Sequence, residues 1–498
     1  MDQKETVIKI KNECSKCGNK TRKIIFINQK CRRCFALSPL IINSGNENIN
    51  NLIKESQFSK KHNDSYLEWV PFEELTDVKK IGQGGFSQIF KATWKANDGI
   101  SRKGTIKRSK REIVLKVLGN SQNVDTKFLN ELKHTFQFRN RMFDYKKNVI
   151  KCYGVTQDPQ TKNYAFILEY AKNGDLHHFI HKNFELSTWG DKIKYLRNII
   201  KGIKDIHDKK IVHRDLHTGN ILVNNNNYTN FPVISDLGFS QPANIDPNLS
   251  TEYQIYGVIP YMAPELFKYQ PYTYASDIYS IGMIMWELTS GHRPFHDQEH
   301  GPKLILDILD GKRPEITEDT PEWWANLMKR CWHSDPSQRP KIEEISELNE
   351  LSNIFYYHNN EEDYIKKYLP DKYDTWLEYN EAEKKRLEMV KSKKPFVKNP
   401  GYEHPNSRYY SRSLNSMLES INSTISDIFS DNYNLFSNDN FDIMDINFGQ
   451  IKENSDGNSS ARNFRKNFLD ELLEKEIIDQ NDFKRRRIAE YLNGCFAD

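Results

Sequence analysis

From Lys79 to Leu118 the apolar residues fall in short runs of strand length. From Lys127 to Arg139 they take helical spacing, with Phe128, Leu132 and Phe136 one turn apart. Ile113-Val114-Leu115-Lys116 is one strand. Phe166-Ile167-Leu168-Glu169-Tyr170-Ala171 is another, running into Lys172-Asn173-Gly174-Asp175-Leu176 as a turn into a helix. Beyond Gly174 the pattern is helical in Lys192 to His207, Ala275 to Ser290, Lys303 to Leu309 and Glu322 to Cys331, interrupted by the strand runs Ile221-Leu222-Val223 and Val233-Ile234-Ser235. The pattern predicts an α+β protein: a small β-rich lobe with one helix over about residues 69–170, then a larger helical lobe over about 171–351. Residues 39–68, rich in Asn, Ser and Lys, read as a linker. Residues 352–498 read as a flexible, largely disordered, partly helical tail, where charged helical stretches (Glu378 to Val390, Phe464 to Ile478) alternate with sequence such as Ser437-Asn438-Asp439-Asn440.

Composition agrees with a globular region diluted by polar sequence: 37% of the 498 residues are hydrophobic and the mean hydropathy is −0.77. A net charge of +4, from 72 basic and 68 acidic residues, gives no support to nucleic acid or an anionic membrane as a partner. The first residues are polar and mixed in charge, and no apolar run approaches the ~18 residues that span a bilayer, so a soluble protein of the cytoplasm or nucleus is expected. Lys484-Arg485-Arg486-Arg487 reads as a solvated helix face or, alternatively, a signal for nuclear import or an anionic partner.

The chemistry is concentrated in His213-Arg214-Asp215-Leu216-His217-Thr218-Gly219-Asn220 and in Asp236-Leu237-Gly238, sixteen positions after Asn220. The two strand runs between these segments form a hairpin that would present Asn220 and Asp236 at a shared metal site, with Asp215 as a carboxylate base. Upstream, Ile81-Gly82-Gln83-Gly84-Gly85-Phe86-Ser87-Gln88-Ile89 is a strand, turn and strand in which small residues let backbone amides close over phosphates. Lys116 offers a buried-stem ammonium to phosphate oxygens, and Glu131, beside the apolar stripe of the predicted helix, is its candidate carboxylate partner. An adenine ring would meet backbone groups of Glu169 and Ala171 at the end of the strand holding Leu168. Ile81, Ile89, Val114 and Leu222 would pack above and below it, although core packing also accounts for these apolar residues.

Together these motifs resemble the eukaryotic-type protein kinases over about Phe72 to Leu351. Further family landmarks stand as Ala263-Pro264-Glu265, Asp277-Ile278-Tyr279-Ser280-Ile281-Gly282, Pro294-Phe295, Cys331-Trp332 and Arg339-Pro340. Their style is most similar to the tyrosine-kinase-like group of Ser/Thr kinases. The resemblance implies a two-lobed fold and the use of ATP and Mg²⁺. Asp215 then accepts or orients the proton of a protein hydroxyl, Asn220 and Asp236 hold the metal, Lys116 positions the α and β phosphates, and Glu265 pairs with Arg339 in a buried structural bridge. Protein substrates are the implied partners.

Two positions depart from the usual Ser/Thr pattern on the acceptor side. His217 stands where a Lys is common two residues after the catalytic Asp, and Val258 where a Thr is common. Ser/Thr acceptors remain favoured over Tyr from the form of Gly257 to Glu265. A weakly active or inactive kinase-fold scaffold is the alternative. Arg214 beside Asp215 predicts activation by phosphate on a segment from Asp236 to Glu265 that includes Ser240, Ser250, Thr251, Tyr253 and Tyr256. Residues 97–111, with Arg102, Lys103, Lys107, Arg108, Lys110 and Arg111, read as a long basic loop, solvated or docking an acidic protein.

In residues 1–38, Cys14-Ser15-Lys16-Cys17 and Cys31-Arg32-Arg33-Cys34 form two Cys-x-x-Cys knuckles thirteen residues apart. They predict a structural Zn²⁺ held by four thiolates, similar to a zinc ribbon; free thiols or a redox pair are the alternative. The unit is basic through Lys16, Lys20, Arg22, Lys23, Lys30, Arg32 and Arg33, which would also suit an acidic protein or a nucleic acid. Cys152, Cys331 and Cys495 are isolated and expected to pack as small apolar residues.

Overall fold

The computed structural model describes residues 13–20, 30–40, 43–58, 66–84, 87–101, 103–124, 126–138, 148–225, 229–242, 254–346 and 362–431. They form two compact units: residues 1–179, 194–213 and 220–241 in the first, and 180–193, 214–219 and 242–498 in the second. Gly85, Arg102, Ser250, Thr251, Tyr253, Cys495, the run Lys484 to Arg487 and the stretches from Ser437 and Phe464 onward lie outside the described residues.

In the first unit six strands form one sheet in the order β1-β5-β6-β4-β3-β2: β1 (Glu68–Trp69), β2 (Thr76–Gln83), β3 (Ser87–Ile100), β4 (Ile106–Leu118), β5 (Cys152–Gln157) and β6 (Tyr164–Glu169). Side chains alternate between its faces. Ile113, Leu115, Ala165 and Ile167 pack with Ala92, Trp94 and Tyr153 on one side, while Tyr164, Phe166 and Val155 meet Phe128, Leu132 and Phe136 on the other. Those last three lie on the helix Thr126–Gln137, at the spacing the sequence showed. The short β1 pairs in parallel with β5, Glu68 opposite Gly154. A Cβ at residue 154 would fall 2.0 Å from the Glu68 carbonyl oxygen, so only glycine lets the two strands approach.

The expected linker contains a helix, Glu47–Phe58. Asn46 caps it, its side chain accepting from the Ile49 amide at 3.2 Å, and Ile49 and Ile53 are fully buried against Phe128, Leu132 and Phe136. Each buried isoleucine stabilises the unit by roughly 1.5–3 kcal/mol, which makes this segment part of the core despite its Asn-rich composition. The basic stretch 97–111 is likewise not a loop. β3 and β4 continue through it as a paired arm, Asn97 opposite Arg108 and Ile100 opposite Ile106, closed by a tight turn in which Gly104 has a φ of +77°. Arg108 is bound to Glu68 at 2.5 Å and Arg111 to Asp98, so two of its cations are already paired.

In the second unit the helix Tyr274–Ser290 is almost wholly buried. A Thr273–Ser276 capping box opens it and left-handed Gly291 closes it. The helices Pro302–Leu309 and Glu322–Cys331 match their sequence expectations, and Trp324 meets Trp189 edge to face at 5.4 Å. Glu265 and Arg339 form the expected bridge, both guanidinium nitrogens lying 2.7 Å from a carboxylate oxygen. Of the expected tail, residues 362–431 are partly helical and belong to this unit. In the helix Tyr373–Ser392, Arg386 is 3% exposed, bridges to Glu383 at 2.6 Å and donates to the Glu185 carbonyl at 2.9 Å. Among the described residues no helix is long and apolar enough to cross a membrane.

Replacing Gly154 with alanine should push β1 off β5 and lower the unfolding free energy by about 1–3 kcal/mol, read as a fall in the thermal midpoint; an unchanged midpoint would mean that β1 contributes nothing.

Candidate functional site

In the first unit, β4 carries Lys116 on the same face as Val114, and the register sets Ile89 opposite Lys116 and Leu168 opposite Val114. Lys116 is 7% exposed, and its Nζ lies 2.7 Å from Glu131 Oε1 and 2.7 Å from Asp236 Oδ1. Burial works against the ammonium, but Asp236 and Glu131 outweigh it and hold its pKa above the ordinary lysine value. Burial likewise opposes the Asp236 carboxylate, and Lys116 with the Gly238 amide overcomes it, leaving Asp236 below its ordinary value. Glu131 comes from the expected helix. A side chain at position 238 would crowd this triad, since a Cβ there would stand 2.9 Å from Glu131 Oε2 and 3.1 Å from Asp236 Oδ1.

The predicted hairpin forms from Ile221–Asn225 and Asn230–Ile234, with Ile221 opposite Ile234. At its mouth the Ser235 amide and hydroxyl both donate to the Asn220 carbonyl, at 2.9 and 2.8 Å, so Asn220 and Asp236 flank the same end. Their amide and carboxylate oxygens form the hard-oxygen donor set that suits Mg²⁺. Gly84 donates to the Ser87 carbonyl at 2.8 Å, closing the glycine-rich turn between β2 and β3, and Gly82 near the end of β2 lies opposite Ile89. Ile89, Val114, Leu168 and Leu222 are half-buried and Ile81 is exposed, so each leaves apolar surface uncovered; Glu169 ends β6 and Ala171 is buried just beyond it.

In the second unit, residues 214–219 carry Asp215, which is 6% exposed. Two carboxylates that sequence reasoning did not single out position this loop. Asp277 accepts from the Arg214 amide at 3.0 Å, and fully buried Glu287 accepts from Thr218 Oγ1 at 3.1 Å and from the Tyr261 hydroxyl at 2.5 Å. A family landmark contains Asp277; nothing local marked Glu287, a polar residue within an apolar helix. His217 Nδ1 accepts from the Gly219 amide at 3.2 Å, which turns Nε2 to within 3.8 Å of Asp215 Oδ2. Arg214 lies over the Tyr272 ring at 4.2 Å, and its buried Nε has no hydrogen-bond partner. Ser240, an expected phosphate acceptor, is buried in the first unit and bound to His134 at 2.8 Å, and Tyr256 lies in a short strand of the second. Also missed was Ser411, whose Oγ donates to Asp215 Oδ2 at 2.5 Å.

Cys14, Cys17, Cys31 and Cys34 are all buried, with their sulfurs within 4.8 Å of one another. The Cys17 and Cys31 sulfurs are 3.8 Å apart, far beyond a disulfide. That is the separation of thiolates bound about 2.3 Å from a tetrahedral zinc. The Cys31 amide donates to Cys14 Sγ at 3.2 Å and the Cys34 amide to Cys31 Sγ at 3.5 Å, as knuckle turns around a metal do. Burial pushes the Cys17 thiol up to about 11, a tendency that a bound divalent ion opposes. Arg33, read as part of a basic surface, is instead buried and donates to the Ser56 and Gln57 carbonyls at the end of the helix Glu47–Phe58, both at 3.1 Å.

A sequence model described as protein tyrosine and serine/threonine kinase matches residues 75–348, more than half of the chain. The chain is similar to the serine/threonine-protein kinase STY17 of Arabidopsis thaliana, 25% identical over 287 residues that cover 57% of this chain and 46% of that protein. It is similar to mitogen-activated protein kinase kinase kinase 7 of Bos taurus, 27% identical over 289 residues, 57% of this chain and 44% of that one. It is also similar to mitogen-activated protein kinase kinase kinase 13-A of Xenopus laevis, 27% identical over 324 residues, 65% of this chain and 29% of that one. The match thus spans less than half the length of each of these relatives.

The depressed Asp236 carboxyl stabilises the folded unit above its unfolded value of about 3.9, and this contribution is lost as pH falls through the folded value. Lys116→Met should raise the Asp236 pKa in a carbon-13 NMR titration and should lose less stability than the parent between about pH 5 and 3. An Asp236 titration unmoved by the substitution would contradict the pairing.

Proposed function

Because the chain belongs to the protein tyrosine and serine/threonine kinase family, matched over residues 75–348, we propose that it transfers the γ-phosphate of ATP to a protein hydroxyl, with Ser and Thr preferred over Tyr. The observation that carries this reading is the Lys116 ammonium, 2.7 Å from both Glu131 and Asp236. Such an arrangement keeps a cation poised for the α and β phosphates while Glu131 fixes its direction. The adenine ring packs between Ile81, Ile89, Val114 and Leu222, its edge met by backbone groups of Glu169 and Ala171, and the turn with Gly82, Gly84 and Gly85 covers the phosphates. Asn220 and Asp236 supply the oxygens for Mg²⁺, which when bound would neutralise charge on the phosphate oxygens. Asp215 orients the acceptor hydroxyl and takes its proton. Alignment and charge neutralisation supply most of the acceleration in this chemistry. The preference for Ser and Thr draws support from the form of Gly257 to Glu265 and from relatives named as serine/threonine kinases.

Asp215→Asn should lower phosphate transfer from ATP to a protein substrate by about 100-fold or more, with ATP binding retained. Equal background turnover in parent and variant would leave the fold as a scaffold rather than an enzyme.

The four cysteines are proposed to hold one structural zinc. The purified protein should then contain zinc in a one-to-one ratio by elemental analysis. Removal by a chelator should lower the thermal midpoint and raise amide exchange in the helix Glu47–Phe58, which rests on Arg33 of the cysteine unit. Metal-free protein of undiminished stability would refute the site.

A further inference from the structure

Residues 399–423 lie along the second unit and carry Ser411 to Asp215. We propose that Ser411 is an intramolecular phosphate acceptor and that its segment occupies the acceptor groove until it is modified; this rests on the kinase reading above.

The register of the segment is set on both sides of Ser411. After it, Arg412 and Ser413 pair in antiparallel fashion with Gly257 and Tyr256. The Leu414 amide donates to the Ile255 carbonyl at 2.9 Å, and the Ile255 amide donates to Asn415 Oδ1 at 2.8 Å. This is strand addition, in which backbone bonds supply affinity and side chains supply choice. Before Ser411, the Tyr409 hydroxyl donates to the Pro294 carbonyl at 3.0 Å, its ring and that of His300 meet edge to face at 4.7 Å, and the Arg293 guanidinium lies over the Tyr409 ring at 4.6 Å. The Arg408 amide donates to His300 Nδ1 at 3.0 Å and the Arg412 guanidinium to the His300 carbonyl at 2.5 Å. Downstream, Leu414 is fully buried, as are Leu418 and Ile421 on the helix Asn415–Asp431, which lies against Pro302–Leu309.

An aromatic anchor two residues before and a strand pair directly after leave Ser411 with little freedom to slide. Its hydroxyl donates to the carboxylate that this chemistry requires as proton acceptor. The transfer step follows. Ser411 Oγ bonds to the γ-phosphorus, the bond from that phosphorus to the bridging oxygen of ADP breaks, ADP leaves, and the hydroxyl proton passes to Asp215. The product places a phosphate dianion beside a carboxylate, and like charges at that distance repel, so the modified segment leaves the groove. Before modification it competes with every other protein substrate. Because the acceptor is tethered, the reaction is unimolecular in protein.

The test uses the full chain, freed of phosphate, with ATP and Mg²⁺, and casein as the added substrate. Phosphate should appear on Ser411 by mass spectrometry with a rate constant unchanged over about a hundredfold dilution. Casein phosphorylation should show a lag that Ser411→Asp abolishes, while Ser411→Ala, which cannot shed its segment, should stay slower than Ser411→Asp by about tenfold or more. Casein modified without a lag while Ser411 carries no phosphate would overturn the proposal and leave the kinase reading intact, as would Ser411 modification that accelerates with protein concentration. No phosphate on casein or on the chain above the Asp215→Asn background would overturn the kinase reading itself.

Discussion

A nearly buried lysine ammonium is the constraint around which the first unit is organised. Lys116 lies on a central strand at 7% exposure, where an unpaired charge would cost several kcal/mol, so it must keep carboxylates within contact. One is local to the hairpin mouth, Asp236. The other, Glu131, comes from a helix that reaches Lys116 only if the helix is held against the sheet. Phe128, Leu132 and Phe136 hold it to Phe166 and Val155, and Ile49 and Ile53 close over the same residues. The helix bearing those isoleucines ends on carbonyls bound by Arg33, between two of the clustered cysteines. The cysteine unit therefore belongs mechanically to the same body as the ion pair, through a continuous path of packed side chains.

The second unit solves a different problem: it holds a short loop rigid without regular secondary structure. Arg214 takes a φ of +73°, an unfavourable conformation that persists only if its surroundings determine it. Asp277 binds its amide, and Glu287, fully buried, ties Thr218 and Tyr261 together. Both carboxylates lie on the helix Tyr274–Ser290, which its neighbours bury over nearly its whole length. A helix enclosed over nearly its whole length thus carries the polar side chains that position the loop bearing Asp215.

Much of this was legible in the sequence where the demands of the core are strict. Phe128, Leu132 and Phe136 announce a helix because only that period puts them on one face, and Ile113 to Lys116 announces a strand because alternate residues must serve two faces. The helix Glu47–Phe58 was not legible. Its buried positions are few, and the Asn residues between them carry the composition of a linker. The arm of residues 97–111 failed for the opposite reason: its second strand is crowded with exposed Lys107, Arg108, Lys110 and Arg111, and Asn97-Asp98-Gly99-Ile100 on the first carries a single aliphatic side chain, so no apolar period marks them. At the candidate site the residues with chemistry of their own, Lys116, Asp215, Asn220 and Asp236, stood out. Glu287 did not, because a buried positioning carboxylate has no local signature.

Ser411 was the least legible residue of all, and the reason is physical. A phosphate acceptor is defined by where it sits; the hydroxyl itself is common to every serine in an Asn- and Ser-rich stretch. What singles out this one is the register imposed by its neighbours, Tyr409 on His300 and Arg412 opposite Gly257, and neither contact follows from the segment alone. The holding interactions are individually modest: a two-residue strand pair, one aromatic anchor, hydrogen bonds to His300 and Ile255, buried Leu414, and buried Leu418 and Ile421 on a helix that would be marginal by itself. Ordering the intervening residues opposes them. A segment held by many small contacts competes with other chains for the groove, and the charge of a phosphate on Ser411 opposes those contacts where the segment meets the Asp215 carboxylate.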